Sequence, residues 1–272
     1  MCLPAGRDFL GLVRRGEHLA ELRATGVPAE HLDLDEAGPA LPGAWTQDRA
    51  LIYMVPPPAA GTTDPRIRRF LDRLAVAPAA LVYLSTTAVY GDAGGAVVDE
   101  ETPPAPAADR GRRRLDAEQS VEAYGRLAGL PIRILRVPGI YGPGRLPVER
   151  IRAGARMPLE AQAGPGNRIH VDDLAAVCLA AADYTGPEQV FNVGDGDHAS
   201  MTGYFQAVAR AAGLPEPEQV PMEILLPEVS AAMRGFLTEQ RKVSTARMRQ
   251  VLGFTPRYAD FREGIRASLA PE

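Results

Sequence analysis

The sequence predicts an α/β protein whose core is a parallel β-sheet covered by helices. Residues 81–84, Leu-Val-Tyr-Leu, form a short apolar run, as expected for a strand buried on both faces of a parallel sheet. Similar runs alternate with helical patterns, which favours strand–helix–strand units. The run ends in three hydroxyl side chains, Ser85, Thr86 and Thr87. Open parallel sheets bind ligands at the carboxyl ends of their strands, so these hydroxyls mark the expected ligand edge.

The first predicted strand covers residues 8–15 and ends in Arg14 and Arg15. A short helix around Leu19 and Leu22 follows it, because apolar residues at this spacing share one helix face. The chain therefore opens with a strand that carries two basic side chains at its carboxyl end.

The next predicted unit is a strand, a helix and the strand at 81–84. Residues 51–55, Leu-Ile-Tyr-Met-Val, form a buried strand that Pro56 stops, since proline donates no backbone hydrogen bond. Asp64 is placed to cap a helix whose first residue is Pro65. The apolar stripe of this helix consists of Ile67, Phe70, Leu71 and Leu74. A strand, helix and strand in this order predict parallel pairing.

The second half of the chain continues the alternation. Residues 94–109 are rich in Gly, Pro and Ala and predict a surface loop, and a helix over 109–125 and a strand over 131–137 follow. A further strand is predicted over 189–193, and the remainder is mostly helical. The predicted N-caps in this part are Asp172, Ser200 and Ser244.

Composition excludes several classes of protein. A chain of 272 residues with 46% hydrophobic content can bury a full core. A net charge of -4 gives no electrostatic reason to expect nucleic acid or an anionic membrane as a partner. Two cysteines do not indicate a disulfide framework or a Cys-based zinc site, and no metal ligands are proposed. No apolar run approaches a membrane span and no signal peptide is recognised, so a cytoplasmic location is expected.

Four segments carry a resemblance to a known family. They are 85–91 (Ser-Thr-Thr-Ala-Val-Tyr-Gly), 135–145 (Leu-Arg-Val-Pro-Gly-Ile-Tyr-Gly-Pro-Gly-Arg), 168–173 (Arg-Ile-His-Val-Asp-Asp) and 191–194 (Phe-Asn-Val-Gly). In this order they resemble the motifs of extended short-chain dehydrogenase/reductases, the NAD(P)-dependent epimerase/dehydratase group.

The resemblance implies an α/β Rossmann-like fold, a doubly wound parallel sheet with a smaller C-terminal substrate lobe. Residues 1–138 would form the nucleotide-binding region, and residues 139–272 would supply the remaining sheet strand and the mostly helical lobe. A homodimer is compatible with helices that flank the sheet.

One family element is not found in the sequence. The strand at 8–15 resembles the family's second strand, and no first strand with a Gly-rich turn precedes it. Such a turn lets the backbone approach the pyrophosphate of the dinucleotide. We therefore expect a gap in the sheet beside this strand, and an N-terminally incomplete or misassigned chain.

The resemblance also identifies a departure from the family's catalytic pair, a Tyr followed four residues later by a Lys. The only lysine is Lys242, and alignment of the helix on Glu118 puts Arg110 and Arg114 at the two positions. Arginine keeps its proton at ordinary pH, so neither can act as a general base. The pair suits a phosphate or carboxylate, as in atypical members of the family; the alternative is a basic, solvated start of the helix.

The resemblance assigns cofactor contacts to the strand ends. A basic residue at the end of the second strand can accept the 2′-phosphate of NADP, so Arg14 and Arg15 favour NADP(H) over NAD(H). Their alternative role is a solvated strand end. The predicted cofactor-binding residues are Arg14, Arg15, Val55, Pro56, Ser85, Val137 and Pro138.

The remaining candidates concern the substrate, a small or nucleotide-linked molecule. Thr86 corresponds to the family's hydroxyl that bonds the reacting oxygen, although it can instead satisfy backbone groups at the strand end. The predicted substrate contacts are Tyr90, Tyr141, Arg145 and His170. For the tyrosines the alternative is packing within turns, and for His170 it is a loop anchor.

Three functional hypotheses follow. The first is an oxidoreductase homologue of the epimerase/dehydratase type that lacks the Tyr and Lys pair. The second is a catalytically inactive NADP(H)-sensing or scaffold protein, suggested by Arg110 and Arg114. The third is a truncated, unstable product with no function of its own.

Overall fold

The protein is represented by a computed structural model that describes residues 7–187 and 189–270, without the side chains of residues 231 and 232. The strands are β1 Gly11–Val13, β2 Ala29–His31, β3 Ala50–Tyr53, β4 Ala80–Thr86, β5 Val97–Val98, β6 Ile132–Val137, β7 Gly139–Tyr141, β8 Met157–Pro158, β9 Arg168–His170, β10 Gln189–Asn192, β11 Gln219–Val220 and β12 Lys242–Val243. The helices are α1 Gly16–Ala24, α2 Gly43–Thr46, α3 Pro65–Asp72, α4 Asp109–Ala128, α5 Val148–Arg152, α6 Val171–Asp183, α7 Met201–Ala211, α8 Met222–Leu225, α9 Ala231–Thr238, α10 Ala246–Val251 and α11 Phe261–Leu269. Two 3₁₀ turns cover Thr87–Tyr90 and Glu160–Gln162.

The central sheet has the strand order β10-β6-β4-β3, and its paired strands are all parallel. Leu51 of β3 lies opposite Leu81 of β4, and Tyr83 of β4 lies opposite Ile134 of β6. Residues 80–83 are buried, which confirms the interpretation of that apolar run as an inner strand. The parallel sheet predicted from the sequence is therefore present.

Helices cover both faces of this sheet. On one face, α3 and α4 pack through Ile67, Phe70 and Val121 in a buried cluster with β3, β4 and β6. On the other face, α6 packs through Val177 in a second cluster with Val82 and other strand residues. This is the doubly wound arrangement that was predicted.

The strands β1 and β2 form a separate two-stranded parallel sheet. The predicted strand at 8–15 is thus shorter, Gly11–Val13. Leu32 and Leu34, which follow β2, are buried in the same apolar cluster as α3, so side-chain packing joins this small sheet to the rest. In the described part of the chain, no ladder of hydrogen bonds links β1 or β2 to the central sheet.

The C-terminal part of the chain builds a lobe beside the carboxyl ends of β4 and β6. Two short pairs of parallel strands, β7 with β9 and β8 with β11, connect segments of this lobe. Its core joins Tyr141 to Phe205 of α7 and to Phe261 and Ile265 of α11. The strand β12 returns to pair with β5, so the lobe is tied to the central domain at a second place.

Helix caps confirm some predictions and correct others. The Asp64 carboxylate accepts hydrogen bonds from the backbone N–H groups of Arg66 and Ile67, as predicted. Ser200 caps α7 as predicted. Asp172 is not the cap of α6, because His170 occupies that position and its ring nitrogen accepts the N–H of Asp172.

Ser244 is not the cap of α10 either, since Thr245 occupies that position. Ser244 lies one residue farther from the helix, although its hydroxyl still accepts a long hydrogen bond from the N–H of Ala246 at 3.4 Å. Among the helices of the described ranges, none combines the length and the apolar character needed to cross a membrane.

Candidate functional site

The carboxyl ends of β3, β4 and β6 meet at one edge of the sheet. The three hydroxyl residues at the end of β4, Ser85, Thr86 and Thr87, lie in different environments. Ser85 points into the protein, where its hydroxyl donates to Glu118 of α4. Thr86 faces the other way, as alternation along a strand requires, and its oxygen accepts the N–H of Ala88 at 3.2 Å. Thr87 lines a cavity in the C-terminal lobe. The edge therefore leads from a buried polar network to an open cavity.

The buried polar network lies beneath this edge. Arg136 donates from Nη2 to Glu118 at 2.8 Å and from Nη1 to the Tyr90 hydroxyl at 2.9 Å. The Tyr90 hydroxyl in turn donates to Asn192 at 2.8 Å. The side chains of Arg136 and Glu118 are only 5% and 2% exposed, so this is a desolvated ion pair. Tyr90 and Ser85, predicted as ligand contacts, have structural partners here.

The two arginines of α4 are also bound by their surroundings. Arg114 donates to the carbonyl oxygen of Leu84 at 2.8 Å and to the Tyr83 hydroxyl at 3.2 Å. Arg110 lies over the ring of Phe236 at 4.2 Å and pairs with Glu239 at 3.5 Å. Arg114 thus supports the end of β4, and Arg110 connects α4 to α9.

The predicted nucleotide contacts lie along the other side of the edge. Arg14 pairs with Asp35, which Arg66 also contacts at 2.9 Å, and Arg66 donates to the carbonyl oxygen of Pro56 at 2.8 Å. Arg15, in contrast, pairs with the exposed Glu17 at 3.1 Å.

Arg14, at the end of β1, and Arg66 of α3 flank the exposed carboxylate of Asp35. A pair of guanidinium groups can bind a carboxylate or a phosphate. Val55 is partly buried, Val137 is buried, and Pro138 follows β6, so these residues can line the edge but offer no side-chain hydrogen bonds. The chain contains no Gly-x-Gly-x-x-Gly sequence for the pyrophosphate.

A cavity of about 280 Å³ lies between the strand edge and the C-terminal lobe. It brings together two predicted substrate residues, Tyr141 and Arg145, with Thr87. Residues from β7, α7 and α9 complete the wall, so a ligand there would touch both parts of the chain.

His170 does not line this cavity. Its side chain is 1% exposed, contacts Ser268 of α11 at 3.2 Å, and lies 4.2 Å from the ring centroid of Tyr258. Burial lowers the pKa of His170, which favours the neutral ring that caps α6. This position agrees with the alternative role of His170, that of a loop anchor.

Sequence reasoning missed several residues of the cavity wall. Arg168, Tyr204 and Arg241 all line it, and Arg168 and Arg241 are almost fully buried. Arg168 lies over the rings of Tyr204 and Phe261, at 5.1 and 4.6 Å. Arg168 was visible in the motif at 168–173, and a basic residue at the end of a buried strand was the signal that could have identified it.

Asp195 is a second residue that was missed. It is 2% exposed, and burial raises the pKa of its carboxyl group to about 7, although the charge of Arg168 opposes that shift. Its Oδ2 atom has no hydrogen-bond partner among the described residues. A protonated carboxyl group near neutral pH is therefore available beside Arg168.

A larger cavity of about 660 Å³ lies between α4 and α10, away from the strand ends. Arg247, on its wall, pairs with Glu101 and lies 3.9 Å from Glu100. None of the predicted site residues lines this cavity. In the described residues, no group of three or more His, Cys, Asp or Glu side chains could hold a metal ion.

Comparison with known proteins agrees with this architecture. A profile described as the NAD dependent epimerase/dehydratase family matches residues 67–194. Protein YeeZ of Escherichia coli is 30% identical over 138 residues, which are 51% of this chain and 48% of YeeZ. The dTDP-6-deoxy-L-talose 4-dehydrogenase (NAD(P)(+)) of Kitasatospora kifunensis is 33% identical over 207 residues, 70% of this chain and 61% of that enzyme.

Solved structures share the fold over nearly the whole chain. A functionally unknown conserved protein from Silicibacter pomeroyi is 33% identical with a TM-score of 0.81, covering 97% of this chain and 90% of that one. The UDP-glucuronic acid 4-epimerase of Bacillus cereus in complex with NAD is 16% identical with a TM-score of 0.74, covering 97% and 90%.

The curated relatives are aligned over only part of their length, from 34% to 62%. The chain is thus similar to the NAD dependent epimerase/dehydratase family over residues 67–194.

Proposed function

We propose that this chain binds a nicotinamide dinucleotide along the carboxyl edge of the central sheet and acts as an oxidoreductase on a small molecule held in the adjoining cavity. The cavity beside Thr87 is the observation that supports this proposal, because a ligand bound there would lie next to the strand ends, where parallel sheets of this type bind dinucleotides. Residues 1–138 would hold the dinucleotide and residues 139–272 would supply most of the substrate wall. The dinucleotide, when bound, would supply the hydride chemistry.

The proposed chemistry does not use a Tyr and Lys pair on α4. Arg110 and Arg114 occupy those positions, and guanidinium groups do not give up protons at ordinary pH. Tyr141 lines the cavity, but its hydroxyl is buried against Gly264 of α11 and does not face a ligand there. Thr86 remains the candidate hydrogen-bond donor to a substrate oxygen.

NADP(H) is the proposed dinucleotide. The 2′-phosphate that distinguishes it from NAD(H) would be held by Arg14 and Arg66, in exchange for the contact of Arg14 with Asp35. Arg15 lies on the exposed side of the same strand end and would add charge only.

Thermal unfolding with added NADPH or NADH tests this proposal. NADPH should raise the Tm more than NADH does, because a ligand that binds only the folded state stabilises it. Arg14→Gln should remove that difference, and Arg7→Gln, which breaks another exposed ion pair, should leave it intact. Absence of any shift with either dinucleotide would contradict the proposal.

A second candidate function is a dinucleotide-responsive sensor or scaffold without turnover. The observation that favours it is that Arg110 and Arg114 both contact other parts of the protein, so α4 offers no proton-transfer group at these positions. NADPH binding without consumption of NADPH across a panel of carbonyl compounds, together with a partner whose association depends on NADPH, would select this function over the first.

A further inference from the structure

The charge of the cavity differs in sign from that of the whole protein. Among the described residues that line it, the charged side chains are the arginines 145, 150, 168 and 241 and the glutamate 239. The whole chain carries a net charge of -4. Glu239 lies 3.5 Å from Arg110 and 3.4 Å from Arg241, and Asp197 lies 3.6 Å from Arg168, so the charge that the described acidic residues leave without a partner is that of Arg145 and Arg150. A cationic pocket in an acidic protein attracts anions.

The two arginines at the rim are available for a ligand. Arg145 and Arg150 are exposed, and within residues 7–187 and 189–270 neither forms an ion pair with an acidic side chain. The Cζ atom of Arg150 lies over the ring of Phe205, 5.1 Å from its centroid. Guanidinium groups on a concave rim can bind carboxylate or phosphate oxygens through paired hydrogen bonds.

The inner wall adds a buried cation, Arg168, which lies over the rings of Tyr204 and Phe261. Its Nη1 atom lies 3.6 Å from Asp197, so part of its charge is neutralised. The hydroxyl groups of Tyr141 and Tyr204 are closed off from solvent, and that of Tyr141 lies against Gly264 of α11, so these two hydroxyls do not face the cavity. The groups that can reach a ligand are therefore the arginines of the rim.

Size and shape restrict the ligand. A volume of about 280 Å³ lies just below the range of small-molecule pockets, which is about 300–1,000 Å³. The wall includes four aromatic side chains, which are Tyr141, Tyr204, Phe205 and Phe236. Such walls suit a flat apolar body.

We propose that this cavity selects a compact anion, a molecule whose carboxylate or phosphate group is bound by Arg145 and Arg150 and whose apolar body packs against the aromatic side chains of the wall, in preference to a nucleotide-linked substrate. The identification of this anion as a substrate rests on the proposed function. The anion site itself does not, because it requires no dinucleotide.

Calorimetric titration of the full chain, without dinucleotide, tests the site with three probes: benzoate, inorganic phosphate and UDP-glucose. Benzoate or phosphate should bind at one site per chain, and where both bind they should compete, since the shared chemistry is the anionic oxygen. The stronger of the two identifies the carboxylate or the phosphate as the natural group. UDP-glucose should bind no more tightly than phosphate.

Variants identify the residues responsible. The double variant Arg145→Gln/Arg150→Gln changes exposed residues and should weaken binding about tenfold or more, as expected for loss of hydrogen bonds to a charged group. Arg126→Gln/Arg266→Gln removes the same charge from exposed positions outside the cavity and should change Kd less than about twofold, because distant surface charges are screened. Tyr141→Phe/Tyr204→Phe keeps both rings and removes hydroxyl groups that do not face the cavity, so it should also change Kd less than about twofold.

Several results would overturn the proposal. Absence of binding by both benzoate and phosphate, or an unchanged Kd in Arg145→Gln/Arg150→Gln, would remove the anion site. Tight binding of UDP-glucose that depends on the same arginines would replace the compact anion by a nucleotide-linked one. If NADPH fails to bind while benzoate or phosphate binds as described, the proposed function is wrong and the anion site stands; the converse result leaves the proposed function and removes the site.

Discussion

Two buried polar regions lie on either side of the strand edge, and they differ in how completely their groups are paired. Beneath the edge, the network of Glu118, Arg136 and Tyr90 pairs every charged side chain, and within the described residues only the Nδ2 atom of Asn192 lacks a partner. In the C-terminal lobe, the buried residues Arg168, Tyr141, Tyr204 and Asp195 each have an atom without a partner among the described residues. The first region is nearly complete, whereas the second leaves four buried polar atoms unpaired.

This difference teaches how to separate structural from functional polar residues in one fold. Both regions are removed from solvent, so burial alone does not distinguish them. A completed network contributes to a unique packing arrangement, and removal of one member leaves its partner unpaired. An incomplete network leaves buried polar groups without hydrogen bonds, and this lowers the unfolding free energy until a partner binds. Mutations should therefore have opposite effects in the two regions.

The largest effect is expected for Glu118→Gln. The change leaves the buried guanidinium of Arg136 without its carboxylate, and breaking a buried ion pair costs about 3–5 kcal/mol of unfolding free energy. Denaturant unfolding measures this loss. Glu149→Gln, which breaks an exposed pair with Arg152, should change the unfolding free energy by less than about 1 kcal/mol. Equal effects of the two changes would contradict the role of the network.

The next effect concerns Asp195, where substitution should stabilise. Its pKa in the folded protein is about 7, above the ordinary value of 3.8. The folded state therefore holds an extra proton between these values, and stability falls as the pH rises through that interval, by at most about 4 kcal/mol. Asp195→Asn removes this dependence, so the variant should exceed the wild type in unfolding free energy above pH 7.

The groups that set this behaviour are the Asp195 carboxyl itself, the opposing charge of Arg168, and the neighbouring acids Asp197 and Asp173. Asp183→Asn is a control of opposite sign, because Arg7 holds the pKa of Asp183 below its ordinary value. That variant should be no more stable than the wild type at any pH. An Asp195→Asn variant with an unchanged pH profile would show that this carboxyl is not buried as described.

The smallest effects come from single hydroxyl groups, and they sharpen the comparison. Tyr90→Phe leaves Arg136 and Asn192 with an unpaired atom each and should cost about 2 kcal/mol. Tyr204→Phe removes a hydroxyl that has no partner among the described residues and should be neutral or slightly stabilising. Thermal unfolding of both variants measures the two effects. A larger loss of Tm in Tyr204→Phe than in Tyr90→Phe would contradict the difference between the two regions.

Features that depend on local pattern could be predicted from the sequence. The apolar run at 81–84, the Asp64 cap and the alternation of strands with helices all followed from spacing and side-chain chemistry, and the structure agrees. The family was also recognisable, because its motifs lie at the strand ends.

Features that depend on the direction in which a side chain points could not be predicted from the sequence. Ser85 and Thr86 are equally polar, and only the packing of α4 decides that Ser85 turns to Glu118. Likewise His170, rather than Asp172, caps α6, because its ring is held between Ser268 and Tyr258 from the end of the chain. Tyr141 meets Arg168 and Tyr204 only after the lobe has folded, so their convergence had no sequence signature.

The separate sheet of β1 and β2 has a consequence for amide hydrogen exchange. Packing of Leu32 and Leu34, with contacts from the arginines of α3, joins it to the remainder, and its backbone is not part of the central ladder. Such a unit can open without global unfolding, so its amides should exchange with deuterium sooner than those of β4 and β6. Since Arg14 lies at its end, binding of NADPH there would register first as slower exchange in β1 and β2.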